Sequence, residues 1–413
     1  MLRTLSIENF KSIKKLELNF SNFTVFFGPN SVGKSNILDG IQVLSRLATE
    51  RTLNDAISGP IRGNPVEVFS FPTGGLEEML RSPSASFSIE AVIDRYERSK
   101  QPYKYRVEIQ IEPRTGRLSV CDENLETLNR QSNTPKGRPR IRSEGDQLII
   151  PSGQGRPKHE PLYQNHTKLS DERYSGQQYN AIEQCRRELG GWEIYYLDPR
   201  EAMRRSSPPS QVNSIGQQGE HLAAFLYRLK NEDERRFAAL QRTLSSVIPS
   251  VSKIDVMIET QRGTLDIFVT QGGIDFSARV MSEGTLRVLA LCAIALNPWG
   301  GSLVAIEEPE NGVQPQRIEL ISKLLLSMAT DRRQIVVTSH SPIFCTAAVT
   351  AARAQKRGVK LCGVINSPDG TQARTVDLSG PLFEGRNIAD LLKSDDDSGI
   401  VDALMHRGAI YAL

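Results

Sequence analysis

FTVFFGPNSVGKSNILDGIQVL, residues 23–44, decides how the rest of the chain is read. A short apolar run, Phe23 to Phe27, has the composition of a buried strand. It feeds Gly28-Pro29-Asn30-Ser31-Val32-Gly33-Lys34-Ser35, which matches G-x-x-x-x-G-K-[ST]. Beyond it Ile37, Ile41, Val43, Leu44 and Leu47 recur at helical spacing, so the order is strand, glycine loop, helix. Each part has a reason. The glycines let backbone N–H groups curl around a phosphate, the helix start aims its positive end at the anion, Lys34 adds a charge, and Ser35 can ligate magnesium. The spacing therefore predicts a magnesium-bound triphosphate, ATP, held by Asn30, Ser31, Val32, Gly33, Lys34, Ser35 and Asn36.

Outward from this loop, apolar runs at Leu2 to Ile7 and Leu16 to Phe20 precede it as further strands. Far downstream, Ser302-Leu303-Val304-Ala305-Ile306-Glu307-Glu308-Pro309-Glu310 reads as an apolar strand ending in adjacent carboxylates, a Walker B arrangement. Open α/β sheets bind ligands at the carboxyl ends of their strands. Glu307 is accordingly expected in the magnesium shell, and Glu308, facing the other way, as the base that orients and deprotonates the attacking water. Strand QIVVT (334–338) then delivers Ser339-His340-Ser341-Pro342, where His340 is placed to sense the γ-phosphate.

The middle of the chain is of another kind. After alternating runs at 87–94 and 103–111, residues 113–178 are rich in Pro, Gly, Asn, Gln and Arg and carry little periodicity. From Arg130 to Lys168 eight cations stand against Glu144, Asp146 and Glu160, a net excess of five. Helical patterns follow at about 179–189, 219–229 and 232–244, then strand patterns at 253–259 and 264–270. These give four segments: residues 1–112, the amino-terminal part of a nucleotide-binding head; 113–178, a basic, partly flexible insertion; 179–250, a helical lobe; and 251–413, the rest of the head. The α/β signals at both chain ends predict one α/β head whose sheet is assembled from both.

Composition bounds the rest. At 413 residues, 38% hydrophobic and 24% charged, the chain has the profile of a globular protein with a sizeable core, and a net charge of +3 names no partner. No stretch reaches the roughly 18 apolar residues of a membrane span and the start lacks a signal-peptide pattern, so a cytoplasmic location with no membrane partner is expected. Cys121, Cys185, Cys292, Cys345 and Cys362 are scattered without CxxC spacing, which points to reduced thiols rather than zinc or disulfides.

These motifs, together with Met281-Ser282-Glu283-Gly284-Thr285-Leu286-Arg287 before the acidic strand, resemble the ABC-type ATPases of the RecF, SMC and OLD group. The opening IENFKSIKKLEL, the tract YLDPREAMRR and the segment GEHLAAFLYRL are similar to small prokaryotic members, and the likeness covers roughly residues 1–50 and 190–345. It implies that the Ser282 and Gly284 signature loop of one subunit closes over the ATP of another, with Asn311 lining the seam, and hence a homodimer or higher even oligomer. It also implies a separately encoded effector, a nuclease, in anti-phage defence of the kind seen in the Septu and PARIS systems. The alternative is a RecF-like repair or replication ATPase that meets nucleic acid through the basic insertion.

Three departures from the group stand out. Glu307 replaces the usual aspartate, Gln314 stands where histidine is frequent, and FPTGGLEEML (71–80) offers no glutamine where a Q-loop belongs. The tail SDDDSGIVD, with Asp395, Asp396, Asp397 and Asp402, lacks the arrangement of a Toprim metal site and reads as a solvated helix start.

Overall fold

The computed structural model describes residues 1–376 apart from 60–61, 95–100, 132, 153–154 and 356–357. The aspartates of the tail lie outside the described residues. Two compact units emerge, neither continuous in sequence: one holds residues 1–21, 28–192 and 362–375, the other residues 22–27, 193–361 and Val376. The segments 1–112 and 113–178 fall for the most part together in the first unit.

In the second unit four parallel strands lie in the order Glu193–Tyr195, Leu303–Glu307, Gln334–Ser339, Phe23–Phe27. A strand from the amino-terminal end thus completes a sheet whose other strands begin at Glu193, Leu303 and Gln334, as the fold reading requires. FTVFF, LVAI and QIVVTS are buried at every position. Parallel strands covered on both faces need unbroken apolar runs, so these segments carry no polar alternation. Helices Leu222–Glu232, Glu234–Val247, Glu283–Ala295, Pro315–Met328 and Pro342–Gln355 supply the cover. Phe225, Leu240, Leu289, Ile321 and Phe344 belong to one buried cluster with Val25, Val304 and Val337. The helix from Pro342 was not foreseen from sequence: TAAVTAARA lacks a clear polar face. A three-stranded antiparallel sheet, Val251–Glu259, Thr264–Gln271 and Ile274–Ser277, completes the unit.

The first unit is built on antiparallel strands in the order Gly370–Thr375, Ile13–Asn19, Leu2–Phe10, Ala85–Ile93, Tyr103–Glu112, Arg117–Thr127. Again both chain ends contribute, Gly370 pairing with Ile13. YKYRVEIQIE alternates between buried and half-buried residues, as expected of an antiparallel sheet with one face covered. Arg117–Thr127, eleven residues long, arises inside the segment read as aperiodic. Val120 pairs with Ile109 but Asp122 with Glu108, leaving Cys121 as an extra residue. That bulge shifts the period of two by one position and hides the strand from a pattern search. Short strands at Arg142–Glu144, Gln147–Ile150 and Lys158–Pro161 follow. Helix Lys34–Leu47 packs in this unit with helix Asn180–Gly190, Ser45 Oγ donating to Leu189 O at 2.7 Å. Among the described residues no helix is long and apolar enough to cross a membrane.

Candidate functional site

Parallel register aligns three strand ends in the second unit. Glu307 pairs with Thr338, and Ser339 pairs with Phe27, the residue before Gly28. The acidic pair and His340 therefore leave the sheet at the same edge as the end of strand Phe23–Phe27.

Glu308 turns that edge with φ of 42°, a left-handed backbone that costs a non-glycine residue about 1–3 kcal/mol. The surroundings hold it there. Its N–H donates to Thr338 O at 3.0 Å and lies 3.3 Å from Thr338 Oγ1. Asn311 Nδ2 donates to Glu308 Oε2 at 2.7 Å, and His340 Nδ1 lies at ion-pair distance, 3.2 Å, from Oε1. Three residues singled out from sequence, Glu308, Asn311 and His340, thus form one constellation.

Sequence reasoning missed a fourth member. Glu310 has a side chain only 4% exposed, and its Oε1 accepts Ser339 Oγ at 2.6 Å and the His340 N–H at 3.2 Å. Its Oε2 is buried without a hydrogen-bond partner. Burial pushes its pKa up, against the lowering effect of Ser339 and His340. The only signal in the sequence was a second glutamate two places after the catalytic candidate, where a surface acid is the ordinary expectation.

Ser282 caps the helix Glu283–Ala295, its Oγ accepting from Thr285 N at 3.2 Å, and stays exposed. Gly284 abuts the turn after the acidic strand so closely that a Cβ there would stand 2.5 Å from Gly312 O. YLDPREAMRR braces this segment: Arg200 pairs with Glu283 at 2.9 Å, and Arg204 donates to Met281 O at 2.7 Å and to Arg279 O. Arg287, on the same helix, is buried, which lowers its pKa against the pull of Glu310, Glu283 and Glu308.

In the first unit the glycine loop is drawn around its own lysine. Lys34 Nζ donates to Gly28 O at 2.9 Å and Pro29 O at 2.8 Å, with the residue 4% exposed. Gly33 has φ of 98°, and a Cβ would fall 2.1 Å from Thr371 Oγ1. Thr371 Oγ1 donates to Val32 O at 3.1 Å and also contacts Ser12 Oγ at 2.7 Å, to which Asn36 Nδ2 donates at 2.6 Å. Ser31, at φ of 67°, Asn30 and Pro29 are exposed at the tip. Ser12, in the turn between strands Leu2–Phe10 and Ile13–Asn19, and Thr371, at the start of strand Gly370–Thr375, were not among the residues expected to matter. Lys11 Nζ pairs with the buried Asp39 at 2.6 Å and anchors the helix that follows the loop.

A glycine loop feeding a helix, an acidic strand end and a histidine after the neighbouring strand, on an α/β fold, are the features of an ABC-type P-loop ATPase head. Residues 23–346 match the AAA_21 family, described as "AAA domain, putative AbiEii toxin, Type IV TA system", and the chain belongs to that family. It is an ATPase of the RecF/SMC type. RecF, the DNA replication and repair protein of Bacteroides fragilis, is 46% identical over 46 residues, 11% of this chain and 12% of that protein. RecF of Lactobacillus acidophilus is 38% identical over 52 residues, 12% and 14%. The matches thus span about an eighth of these relatives. Among solved structures, an Smc head bound to the C-winged helix domain of ScpA is 15% identical, with TM-score 0.54, covering 91% of this chain and 98% of that one. An Smc head with an extended coiled coil bound to the C-terminal domain of ScpA, from Pyrococcus furiosus, is 13% identical with TM-score 0.53, covering 95% and 99%. These likenesses concern the fold.

Proposed function

We propose that the chain is a nucleotide-operated switch in which two copies close around two ATP molecules, hydrolysis reopens them, and the motion is passed to a separately encoded effector, a nuclease, in anti-phage defence. The observation that carries the hydrolytic part is the posture of Glu308. A carboxylate held in a costly backbone conformation, gripped by Asn311 and paired with His340, suits a base that must activate water reproducibly. In this reading Asn30 to Asn36 wrap the phosphates, and Lys34 exchanges its two loop carbonyls for phosphate oxygens. His340 senses the γ-phosphate, and Ser282 and Gly284 meet the nucleotide of the partner copy.

Ser35 and Glu307 are each oxygen donors of the kind a hard cation prefers, and a magnesium ion would supply neutralisation of phosphate charge. Glu308 takes the water proton, and Asn311 keeps its second oxygen oriented. The exposed Ser282, in front of a helix amino terminus, supports contact with an anion in trans. The effector and defence parts rest on the resemblance to defence ATPases and on the family description, which itself names a toxin system.

Turnover of the wild type and of Glu308→Gln, measured alongside their mass in solution with MgATP, tests the reading. A variant that binds ATP, accumulates as a dimer and does not turn over is the expected result. Equal turnover in both proteins removes Glu308 from the mechanism, and a monomer under all conditions removes the clamp. A RecF-like role in repair is the second reading, favoured by the RecF matches.

A further inference from the structure

Arg287, in the first turns of helix Glu283–Ala295, is buried, yet among the described residues no carboxylate stands at ion-pair distance from it. Its Nη2 donates to Leu197 O at 3.3 Å, and its Nε is buried without a hydrogen-bond partner. A guanidinium has more donors than this arrangement uses. Glu310 shows the same shortfall with the opposite charge. Its Oε1 accepts from Ser339 Oγ at 2.6 Å and from the His340 N–H at 3.2 Å, while its Oε2 has no partner. A buried ion without a close counter-charge is costly, so two of them near one another call for an explanation.

The backbone sets them against each other. A Cβ on Gly284 would stand 2.5 Å from Gly312 O and 3.7 Å from Val313 Cα, so the start of the helix lies directly on the turn after the acidic strand. Arg287 follows Gly284 by three positions and shares that helix face. Glu310 belongs to the same turn, its carbonyl accepting from Val313 N at 3.0 Å. Burial lowers the pKa of Arg287, and among the carboxylates that oppose this Glu310 comes first, ahead of Glu283, Glu308 and Asp198.

We propose that Arg287 and Glu310 are positioning residues for ATP hydrolysis: the guanidinium offsets the buried charge of Glu310, the carboxylate fixes Ser339 and the His340 main chain, and the His340 ring is thereby held at Glu308. Neither residue touches the nucleotide, and each acts through the next. Hydrogen bonds to an ionised acceptor are shorter and stronger than neutral ones, which the 2.6 Å contact from Ser339 Oγ fits. The competing explanation gives the two residues separate structural tasks, Arg287 fastening its helix to Leu197 O and Glu310 fastening the strand end. The inference rests on the hydrolytic roles proposed for Glu308 and His340.

The test is steady-state ATP turnover and melting temperature of the full chain carrying Arg287→Gln, Arg287→Lys, Glu310→Gln or Arg287→Gln/Glu310→Gln, with Glu308→Gln as reference. Each single Gln variant at these two positions should lower kcat about 10- to 100-fold through misplacement of His340, with KM for ATP little changed. Arg287→Lys, which keeps the charge, should recover most of the kcat lost in Arg287→Gln. The double variant should turn over no more slowly than the slower single, since residues in one chain of contacts are non-additive, and should melt above Arg287→Gln, which leaves Glu310 without an opposing charge. Losses that multiply in the double variant, no rescue by lysine, or wild-type kcat in a folded Arg287→Gln overturn the proposal. Should Arg287→Gln not fold, the double variant is expected to fold and to match Glu310→Gln in kcat, and its failure to fold overturns the pairing. Full turnover by Glu308→Gln would remove the hydrolytic reading and this inference with it, whereas an inactive Glu308→Gln beside unimpaired Arg287 and Glu310 variants removes the inference alone.

Discussion

His340 Nδ1 lies 3.2 Å from Glu308 Oε1 while the backbone N–H of the same histidine donates to Glu310 at 3.2 Å. The ring of His340 is thus within ion-pair distance of a half-buried acid, the first tie, and its main chain is bonded to a buried one. His340→Ala removes only the first tie. Turnover should fall about 10- to 100-fold, below the 10²–10⁴ range of a lost general base, with KM for ATP changed less than kcat. Steady-state kinetics on both variants check this, and a larger loss for His340→Ala than for Glu308→Gln would reverse the assignment of roles.

Lys34 satisfies two loop carbonyls, Gly28 O and Pro29 O, with its ammonium. Lys34→Ala should therefore weaken ATP binding at least about tenfold, since a charge-assisted bond is worth about 1.5–3 kcal/mol. It should also loosen the loop in the nucleotide-free protein. Calorimetric titration reads the first effect and amide exchange at residues 28–33 the second. Unchanged ATP affinity in a folded variant would remove the P-loop from the account.

Gly284 faces Gly312 across the two segments that precede and follow the acidic strand, with room for no Cβ. Gly284→Ala has to push the 308–313 turn away, and overpacking of this kind costs about 1–3 kcal/mol. A lowered melting temperature together with lost turnover is expected. Ser282→Ala should by comparison cost about 1 kcal/mol from the lost cap. If Gly284→Ala melts like the wild type, the close approach does not constrain the turn.

The loop, the acidic strand and the parallel core were legible because each is local: a glycine spacing, an unbroken apolar run, a charge at its end. Residues 23–27 and 303–339 could be assigned to one sheet because their patterns match the same environment. What stayed hidden depended on distant partners. Ser12 holds Asn36 from 24 positions away and Thr371 holds Val32 from 339, and neither hydroxyl differs in the sequence from a surface residue. Glu310 looks like its two neighbours until burial separates it from them. The strand Arg117–Thr127 was masked by the bulge at Cys121.

Glu123 provides a test of the first unit that is separate from catalysis. It is fully buried on strand Arg117–Thr127 and ties down the following segment, accepting from Lys168 N at 2.7 Å, Leu169 N at 2.9 Å and Tyr105 OH at 3.0 Å. Burial nevertheless outweighs these donors and raises its pKa from 4.5 to about 6. The folded state then binds more protons than the unfolded state between those values, so this group's contribution to stability is full below pH 4.5 and is lost as pH rises through about 6. The shift corresponds to about 2 kcal/mol. Glu123→Gln cannot titrate, and it turns an N–H₂ group toward one of the three donors, which should cost about 1–3 kcal/mol at low pH. Urea unfolding of both proteins across this range isolates the residue: the penalty of the variant should shrink as pH rises and level off above about 6. A penalty that grows with pH would mean that the three donors outweigh the cost of burying the charge.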